Sequence, residues 1–191
     1  MAVASLHCAV WWQYVLWNLA GFAGALVANS FVEWTVHRFI MHKPSRLIPY
    51  GYEHVTTHHA TFGSGPSYVV MSDEMREAGL AFTWREYVLF PVFTSLALYI
   101  PTELLIGRPI YLGCLLAVFF GLVAFDLIHY RFHFPQHGWL ERTAAFRFLN
   151  RHHRLHHERN WKNFNVTVPI ADLLLGTLVT KPLDPAQTPP L

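Results

Sequence analysis

Residues 110–133 read IYLGCLLAVFFGLVAFDLIHYRFH, an apolar run that leads directly into histidines. Its first 16 residues carry no charge, and Asp126, His129 and His133 follow. An uncharged run of this length is typical of a helix in a membrane or in a protein core. On a helix, His129 and His133 lie about 40° apart and share a face. This pair could therefore bind one metal ion together.

Two further segments are long and apolar. Residues 9–32, which contain WWQYVLWNLAGFAGALVANSFV, carry no charge before Glu33 and are long enough to cross a bilayer. Residues 87–106 are apolar apart from Glu103, and a Gly-Arg-Pro turn joins them to the run that starts at residue 110. We interpret these last two segments as a transmembrane hairpin. The alternative is a pair of buried helices in a soluble core.

The composition agrees with a membrane protein. The 191 residues are 53% hydrophobic and 14% charged, with a mean hydropathy of +0.25, whereas soluble domains carry about 25% charged residues. A net charge of +2 offers no basic field for nucleic acid, and two cysteines give no disulfide framework. We therefore predict an all-α integral membrane bundle with three to four transmembrane helices. Residues 1–180 would form a single domain, and residues 181–191 a Pro-rich tail.

The distribution of positive charge predicts the orientation in the membrane. With three spans, the N-terminal tail and the turn at Gly107 share one side, and Arg108 is the one basic residue of 14 that lies there. The other 13 share the opposite side with every histidine except His7. Because Lys and Arg concentrate in cytosolic loops, we predict a histidine-rich helical cap on the cytosolic face.

The densest histidine group is NRHHRLHHERN, residues 150–160. On a helix, His153 and His157 lie about 40° apart, and His156 lies about 60° to the other side. These three imidazoles share one face, and His152 points away from them. Because a buried neutral imidazole needs partners for both nitrogens, this convergence indicates a metal site. The alternative interpretation is an exposed polar stretch, or a nucleic-acid patch built on the neighbouring arginines.

Ten histidines fall into four spaced groups on one side of the membrane. Ten nitrogens could serve two metal ions with about five ligands each, which would leave an octahedral ion an open position. The groups are His37 and His42 (H-x4-H), His54, His58 and His59 (H-x3-HH), His129 and His133 (H-x3-H), and His153, His156 and His157 (H-x2-HH).

The spacing of His37 and His42 is unfavourable on a regular helix. They would lie about 140° apart, so either the helix is bent or the two residues serve different ions. Glu33 precedes His37 by four residues, and Asp126 precedes His129 by three. Both spacings put a carboxylate beside a histidine, where it can accept a hydrogen bond from the second ring nitrogen of a ligand.

Four further polar residues have less definite roles. Asn163 and Asn165 could orient ligands or water, and a role in turns and caps is the alternative. His137 follows Pro135 in a predicted loop. The sequence leaves open which roles His54, His137 and His152 have at the site.

The pattern resembles the fatty acid hydroxylase/sterol desaturase superfamily of integral-membrane di-iron oxygenases. The resemblance runs from about Glu33 to Thr177. Within the superfamily, the sequence is similar to the fatty acid 2-hydroxylase and carotenoid hydroxylase branches. The segments that carry it are EWTVHRFIMH at residues 33–42, DLIHYRFHF at 126–134, NRHHRLHH at 150–157 and NFNVTVPIADLLLGT at 163–177. One departure concerns His54, because the family usually has H-x2-HH in the second group.

The resemblance implies a site and an activity. Nine of the ten grouped histidines would be metal ligands, and His54 would be the tenth. The resemblance implies no catalytic residue beyond these ligands. Two iron ions would hydroxylate an unactivated C–H bond of a fatty acyl, sterol or carotenoid substrate that enters from the bilayer. Electrons would come from a separate ferredoxin or cytochrome b5-type donor with its reductase. Zinc binds the same donors tightly and can replace iron in a purified sample.

Several other functions compete with hydroxylation. A lipid desaturase on the same di-metal centre would begin with the same hydrogen abstraction. A membrane zinc hydrolase would need a general base near the metal, as in HExxH, and the sequence has no such motif. A non-enzymatic membrane metal- or haem-binding protein is the alternative of another class. A haem carrier would place its histidines inside the spans, and a transporter would place polar groups at mid-membrane.

Overall fold

The computed structural model describes residues 2–43, 54–69 and 83–182 of the chain, with side chains from Val10 onward. Within these ranges the regular structure is helical and includes no strand, as the sequence predicts. The predicted Pro-rich tail lies outside the described residues from residue 183 onward, and so does the side chain of His7.

The described residues form six α-helices, three π-helical segments and two short 3-10 helices. The α-helices are α1 (Ala2–Val36), α2 (Trp84–Thr94), α3 (Ile100–Ile106), α4 (Tyr111–His133), α5 (Ala144–Glu158) and α6 (Ile170–Leu174). Three π-helical segments interrupt or extend them, at His37–Met41, His54–His59 and Ser95–Tyr99. Two short 3-10 helices lie at Gly65–Tyr68 and Leu140–Arg142.

Three helical stretches among the described residues are long and apolar enough to cross a membrane: Val10–Met41, Trp84–Ile106 and Tyr111–His133. Their large apolar side chains are exposed, for example Leu104 at 77% and Leu105 at 87%. A soluble protein would bury such a surface, whereas lipid accepts it. The protein is therefore an integral membrane protein, and the hairpin is not a pair of soluble core helices.

The chain divides into two compact units. One consists of Met1–Asn29 and Phe82–Val123, and the other of Ser30–Ala81 and Ala124–Leu191. Helices α1 and α4 each contribute to both units. The prediction of a single domain over residues 1–180 stays a prediction.

In the first unit, the N-terminus of α4 is held by polar side chains. Glu103 accepts hydrogen bonds from the backbone N–H groups of Ile110 and Tyr111, at 2.8 and 2.5 Å. The Asn18 side chain accepts from the backbone N–H of Gly113 at 2.8 Å. These bonds satisfy N–H groups that lack partners within the helix, and a membrane supplies no water to replace them. This explains an acidic residue in an apolar segment.

The second unit contains α5, which begins at a capped residue. Thr143 is the N-cap, and its side chain accepts from the backbone N–H of Phe146 at 3.2 Å. Phe146 also belongs to a buried apolar cluster with Phe132, Val166 and Tyr68. This packing fixes one face of α5 against the rest of the unit, and the histidines of α5 follow along the same helix.

Candidate metal centre

Two of the histidine groups are formed by π-helical segments. His54–His59 contains its whole group, and His37–Met41 begins at His37 and is followed directly by His42. In a π-helix the backbone hydrogen bond joins residues five apart, and the N–H of His42 donates to the carbonyl of His37 at 3.1 Å. The His37 and His42 ring centroids are 4.9 Å apart, and those of His54 and His59 are 4.8 Å apart. The distorted helix thus brings together histidines that a straight α-helix would separate.

The ligand atoms of nine histidines converge in two clusters, and within each cluster they lie within 4.8 Å of one another. The tenth predicted ligand, His129, lies beside cluster B with its Nε2 atom 3.1 Å from that of His153. All ten predicted ligands therefore gather in two groups of about the expected size. Cluster A contains His37, His42, His54, His59 and His156, and cluster B contains His58, His133, His153 and His157.

The distances between neighbouring Nε2 atoms suit a shared ion. Two nitrogens about 2.1 Å from a metal and at right angles to each other stand about 3.0 Å apart. The observed Nε2–Nε2 distances are 3.0 Å for His37–His54 and His153–His157, 3.1 Å for His42–His156 and His59–His156, and 3.2 Å for His58–His157.

The second ring nitrogen of four ligands is bonded to a backbone carbonyl. A carbonyl oxygen only accepts, so Nδ1 carries the proton and the Nε2 atom of the neutral ring presents a lone pair. These lone pairs point at neighbouring imidazoles, which is the arrangement that a cation stabilises. His37 Nδ1 donates to Phe164 O at 2.5 Å, His133 Nδ1 to Tyr68 O at 2.8 Å, His156 Nδ1 to Lys162 O at 2.7 Å, and His157 Nδ1 to Phe62 O.

Burial keeps these imidazoles neutral. It lowers the pKa of His42 to about 4. Burial and then the nearby His42 ring lower the pKa of His59 to about 2. The pKa values of His153 and His156 are also well below the usual value, first because of burial and then because of neighbouring histidines. Since neutral imidazole is the form that binds a metal, the donor set fits metal ions.

A family model described as fatty acid hydroxylase matches residues 22–177, a range that includes all ten histidines predicted as ligands. The chain belongs to the fatty acid hydroxylase family. Family and geometry together describe an integral membrane oxidoreductase of the hydroxylase/desaturase type, with histidine clusters that could bind metal. Comparisons with curated proteins and with solved structures gave no match.

In this fatty acid hydroxylase family member, Asp172 holds the loop that follows α5. The side chain is fully buried and accepts from the N–H groups of Phe164 at 2.9 Å and Asn165 at 2.7 Å. It also accepts from Thr177 Oγ1 at 2.6 Å and from His152 Nε2 at 3.1 Å. Burial raises the pKa of Asp172, but these hydrogen bonds outweigh it and keep the pKa below its usual value. A fixed carboxylate therefore orients the loop.

Glu33 supports the same loop instead of contacting His37 directly as predicted. Its carboxylate accepts from the N–H of Val166 at 2.5 Å and from Thr167 Oγ1 at 3.1 Å. The bond that the sequence assigned to Glu33 is made by Phe164 O, which accepts from His37 Nδ1. Glu33 therefore acts on His37 through the loop.

The other predicted supporting residues take different places. Asn165 donates to Ser30 O at 2.8 Å and fixes the loop to α1. Asn163 donates to His152 O at 3.0 Å, and it adopts a φ of 54°, a conformation that asparagine tolerates. Asp126 is half-buried, three residues before His129 on α4.

His152 and His137 lie outside both clusters. His152 is buried and bonded to Asp172, and His137 is exposed in the turn after α4, with a φ of 56°. His54, which the unusual H-x3-HH spacing left less certain, is in cluster A. The π-helix explains that spacing, because His54 and His59 face one cluster while His58 faces the other.

Sequence reasoning missed the role of Asp172 and the four carbonyl acceptors. Backbone carbonyls have no side-chain signature, so no residue pattern marks them. Asp172 did leave a signal, because it is an acid within the otherwise apolar stretch of residues 166–178. Such an acid needs hydrogen-bond donors, and backbone N–H groups of a nearby loop supply them.

Proposed function

We propose that this protein is a membrane-bound di-iron oxygenase that hydroxylates an unactivated C–H bond of a lipid. The observation that carries the proposal is the pair of adjacent all-histidine clusters in a member of the fatty acid hydroxylase family. The clusters are neighbours, since His54 of cluster A and His58 of cluster B stack with centroids 4.7 Å apart. Two ions bound there would be close enough to act on one oxygen molecule.

Cluster A would hold one ion, and cluster B together with His129 would hold the other. Imidazole nitrogen is a suitable ligand for iron. Bound iron would supply O2 activation and hydrogen abstraction, chemistry that no protein side chain can supply alone. Zinc competes for the same nitrogens, so the metal content of a purified sample depends on the metal supply.

The protein's own residues orient the ligands and exclude water. The carbonyls of Phe62 and Phe164 accept from ligand histidines, and both phenyl rings are buried beside the clusters. The Phe62 ring centroid lies 4.4 Å from that of His133, and the Phe164 centroid 5.8 Å from that of His156. Fixed tautomers keep each Nε2 lone pair available, and the apolar rings protect a reactive centre from bulk water.

The substrate in this proposal is a lipid that enters from the bilayer. Fatty acyl chains, sterols and carotenoids all fit this route. Leu173 and Leu174 support it, because they are 61% and 66% exposed on α6, directly after buried Asp172. The same short helix thus presents an apolar surface and holds the loop that orients cluster A. The excess of basic residues on the histidine side supports a cytosolic location for the site.

A desaturase on the same centre is the second candidate, and lipid analysis distinguishes the two. Cells expressing the wild type and a His156→Ala variant would be compared by mass spectrometry of total lipids, with ferredoxin and cytochrome b5 donor systems co-expressed. An oxygen atom added only by the wild type supports hydroxylation. A loss of two hydrogens would favour desaturation.

The control variant is His137→Asn, because His137 lies outside both clusters and asparagine tolerates its positive φ. It should retain wild-type products. Iron is measured in parallel. Identical lipid extracts from wild type and His156→Ala, despite full iron loading, would contradict an oxygenase acting on lipids of that host. A wild type that takes up no metal would contradict the di-iron centre itself.

A further inference from the structure

The exposed face of α5 is basic. Arg147, Arg151 and Arg154 are all exposed, and their spacing of four and three residues places them within about 60° of one another on the helix. The opposite side of the helix buries His153 of cluster B and His156 of cluster A. The arginine face, defined by these three arginines, therefore lies on the back of the helix that supplies ligands to both clusters.

The exposed charge of the described residues has one sign. Every side chain there that is both charged and exposed is basic, and the acidic side chains are buried or half-buried. Glu158, the one acid within α5, is half-buried at its last position. A surface of one sign attracts partners of the opposite charge. The exposed basic residues are Lys43, Arg85, Arg108, Arg142, Arg147, Arg151, Arg154 and Lys181.

Tyr68 connects the arginine face with cluster B. The Arg154 guanidinium carbon lies 5.9 Å from the Tyr68 ring centroid. The same ring lies 5.3 Å from the His157 ring and 4.7 Å from the His133 ring. The Tyr68 hydroxyl donates to Asn150 Oδ1 on α5 at 2.9 Å, which holds the ring in place. One buried side chain therefore separates an exposed arginine from two imidazoles of the centre.

We propose that the arginine face docks an acidic one-electron carrier protein that reduces the metal centre across α5. This inference rests on the proposed function. Hydroxylation consumes a substrate RH, O2, two electrons and two protons, and it yields ROH and water. A one-electron carrier must therefore dock twice in each turnover and leave oxidised each time. A carrier docked on α5 has its surface about one helix diameter, 10–12 Å, from the ligand histidines. The distance from its cofactor to the ligands is this value plus the depth of the cofactor below the carrier's surface.

Anionic lipid headgroups carry the same charge as such a carrier, but a protein fits this face better. The arginines lie along the helix that carries histidines of both clusters, and one of them, Arg154, lies over Tyr68, whose ring contacts His157 of cluster B. The apolar surface that lipid requires is found elsewhere in the same unit, at Leu173 and Leu174 of α6 and at Leu175, which follows it. The position of the arginines thus matches electron delivery.

The test uses full-length, iron-loaded protein in nanodiscs of neutral phosphatidylcholine. Wild type is compared with the triple variant Arg147→Glu, Arg151→Glu, Arg154→Glu, and the probes are a plant-type ferredoxin and the soluble domain of cytochrome b5. Equilibrium binding and the oxidation rate of each reduced carrier are measured at low and high salt. For the carrier that serves wild type, the triple variant should raise the KM about tenfold or more and lose the salt dependence.

Matched variants separate docking from folding. Lysines at the same three positions keep the charge and should bind the carrier like wild type, and Arg108→Glu reverses an exposed charge in the predicted turn on the other side of the membrane. Iron content and reduction by dithionite should be the same in all variants. A triple variant that loses iron is replaced by Arg151→Glu alone, for which a KM about threefold higher is expected.

Three results would overturn the inference. The first is that neither carrier binds wild type. The second is that the triple variant binds and oxidises the carrier as wild type does. The third is that the triple variant loses affinity only for phosphatidylglycerol vesicles, which would assign the arginine face to lipid binding. Binding is measured without turnover, whereas iron content and product formation test the proposed function. A failure of either proposal is therefore seen separately.

Discussion

At the scale of single residues, the two histidine clusters depend on hydrogen bonds between their imidazoles and a few backbone carbonyl oxygens. Asp172 bonds the N–H groups of Phe164 and Asn165, and the carbonyls of Phe164 and Lys162 accept from His37 and His156. Both of these histidines belong to cluster A. The ligands of cluster B use other carbonyls, so a change at Asp172 acts mainly on cluster A.

Asp172→Ala should therefore weaken metal binding at cluster A by about 10–100-fold. Asp172→Asn keeps one acceptor oxygen and should have a smaller effect. Cobalt(II) titration of metal-free protein, followed by optical absorption, would show one weakened binding phase and one unchanged phase. Glu86→Gln, at the start of α2 in the other unit, is the control. Equal weakening of both phases would indicate general loss of structure and contradict this role.

The buried histidines also predict how stability depends on pH. The folded-state pKa of His42 is about 4 and that of His59 about 2, both below the value of about 6.5 expected in the unfolded chain. The unfolded state then binds more protons below pH 6.5, so stability is full above that pH and falls as the pH drops toward 4. The Tm of metal-free protein in detergent should decrease between pH 7 and pH 5. A constant Tm over this range would contradict the burial of neutral histidines.

At the scale of secondary structure, the sequence predicted more about the helices than about their irregularities. The three spans and the four histidine groups follow from apolar runs and spacing, which are local properties of the chain. The π-helical segments, in contrast, do not follow from the local sequence. A straight helix would place His37 and His42 about 140° apart, and the distortion that joins them is explained by the cluster they share with His54 and His59.

The backbones of α1 and α4 approach each other most closely at Gly113. A Cβ atom at Gly113 would lie 1.8 Å from the Asn18 carbonyl oxygen, whereas one at Gly121 would meet nothing within 4 Å. Gly113→Ala should therefore separate the helices and lower the Tm. Gly121→Ala, on the same helix, should be neutral or stabilise by about 0.5–1 kcal/mol. Equal Tm values for the two variants would show that this close approach contributes nothing.

Glu103 should be required for the start of α4. Glu103→Ala would leave the N–H groups of Ile110 and Tyr111 without an acceptor in an apolar environment, at a cost of about 1–3 kcal/mol each. Glu103→Gln keeps a carbonyl oxygen and should be much milder. Thermal unfolding of both variants in detergent measures the difference. If Glu103→Ala melts at the wild-type temperature, the cap is unimportant.

At the scale of the whole molecule, bound metal would join segments that are distant in sequence. The clusters combine residues 37–42, 54–59, 133 and 153–157. Ligands bound by the folded state alone stabilise it by about 2.7 kcal/mol at a concentration 100 times Kd. Chelation should therefore lower the Tm, and added Zn²⁺ should restore it. The His153→Ala, His156→Ala double variant, which lacks a ligand in each cluster, should respond much less to either treatment.

Helix α5 links the two histidine clusters, because it supplies histidines to both of them. It gives His156 to cluster A and His153 and His157 to cluster B, with the rings of His153 and His156 5.7 Å apart. Successive residues on a helix advance by about 1.5 Å, so α5 sets the spacing between the imidazoles that it gives to the two clusters. A single residue inserted or lost between positions 153 and 156 would therefore displace histidines of both clusters at once, so the two clusters cannot be altered independently along this helix.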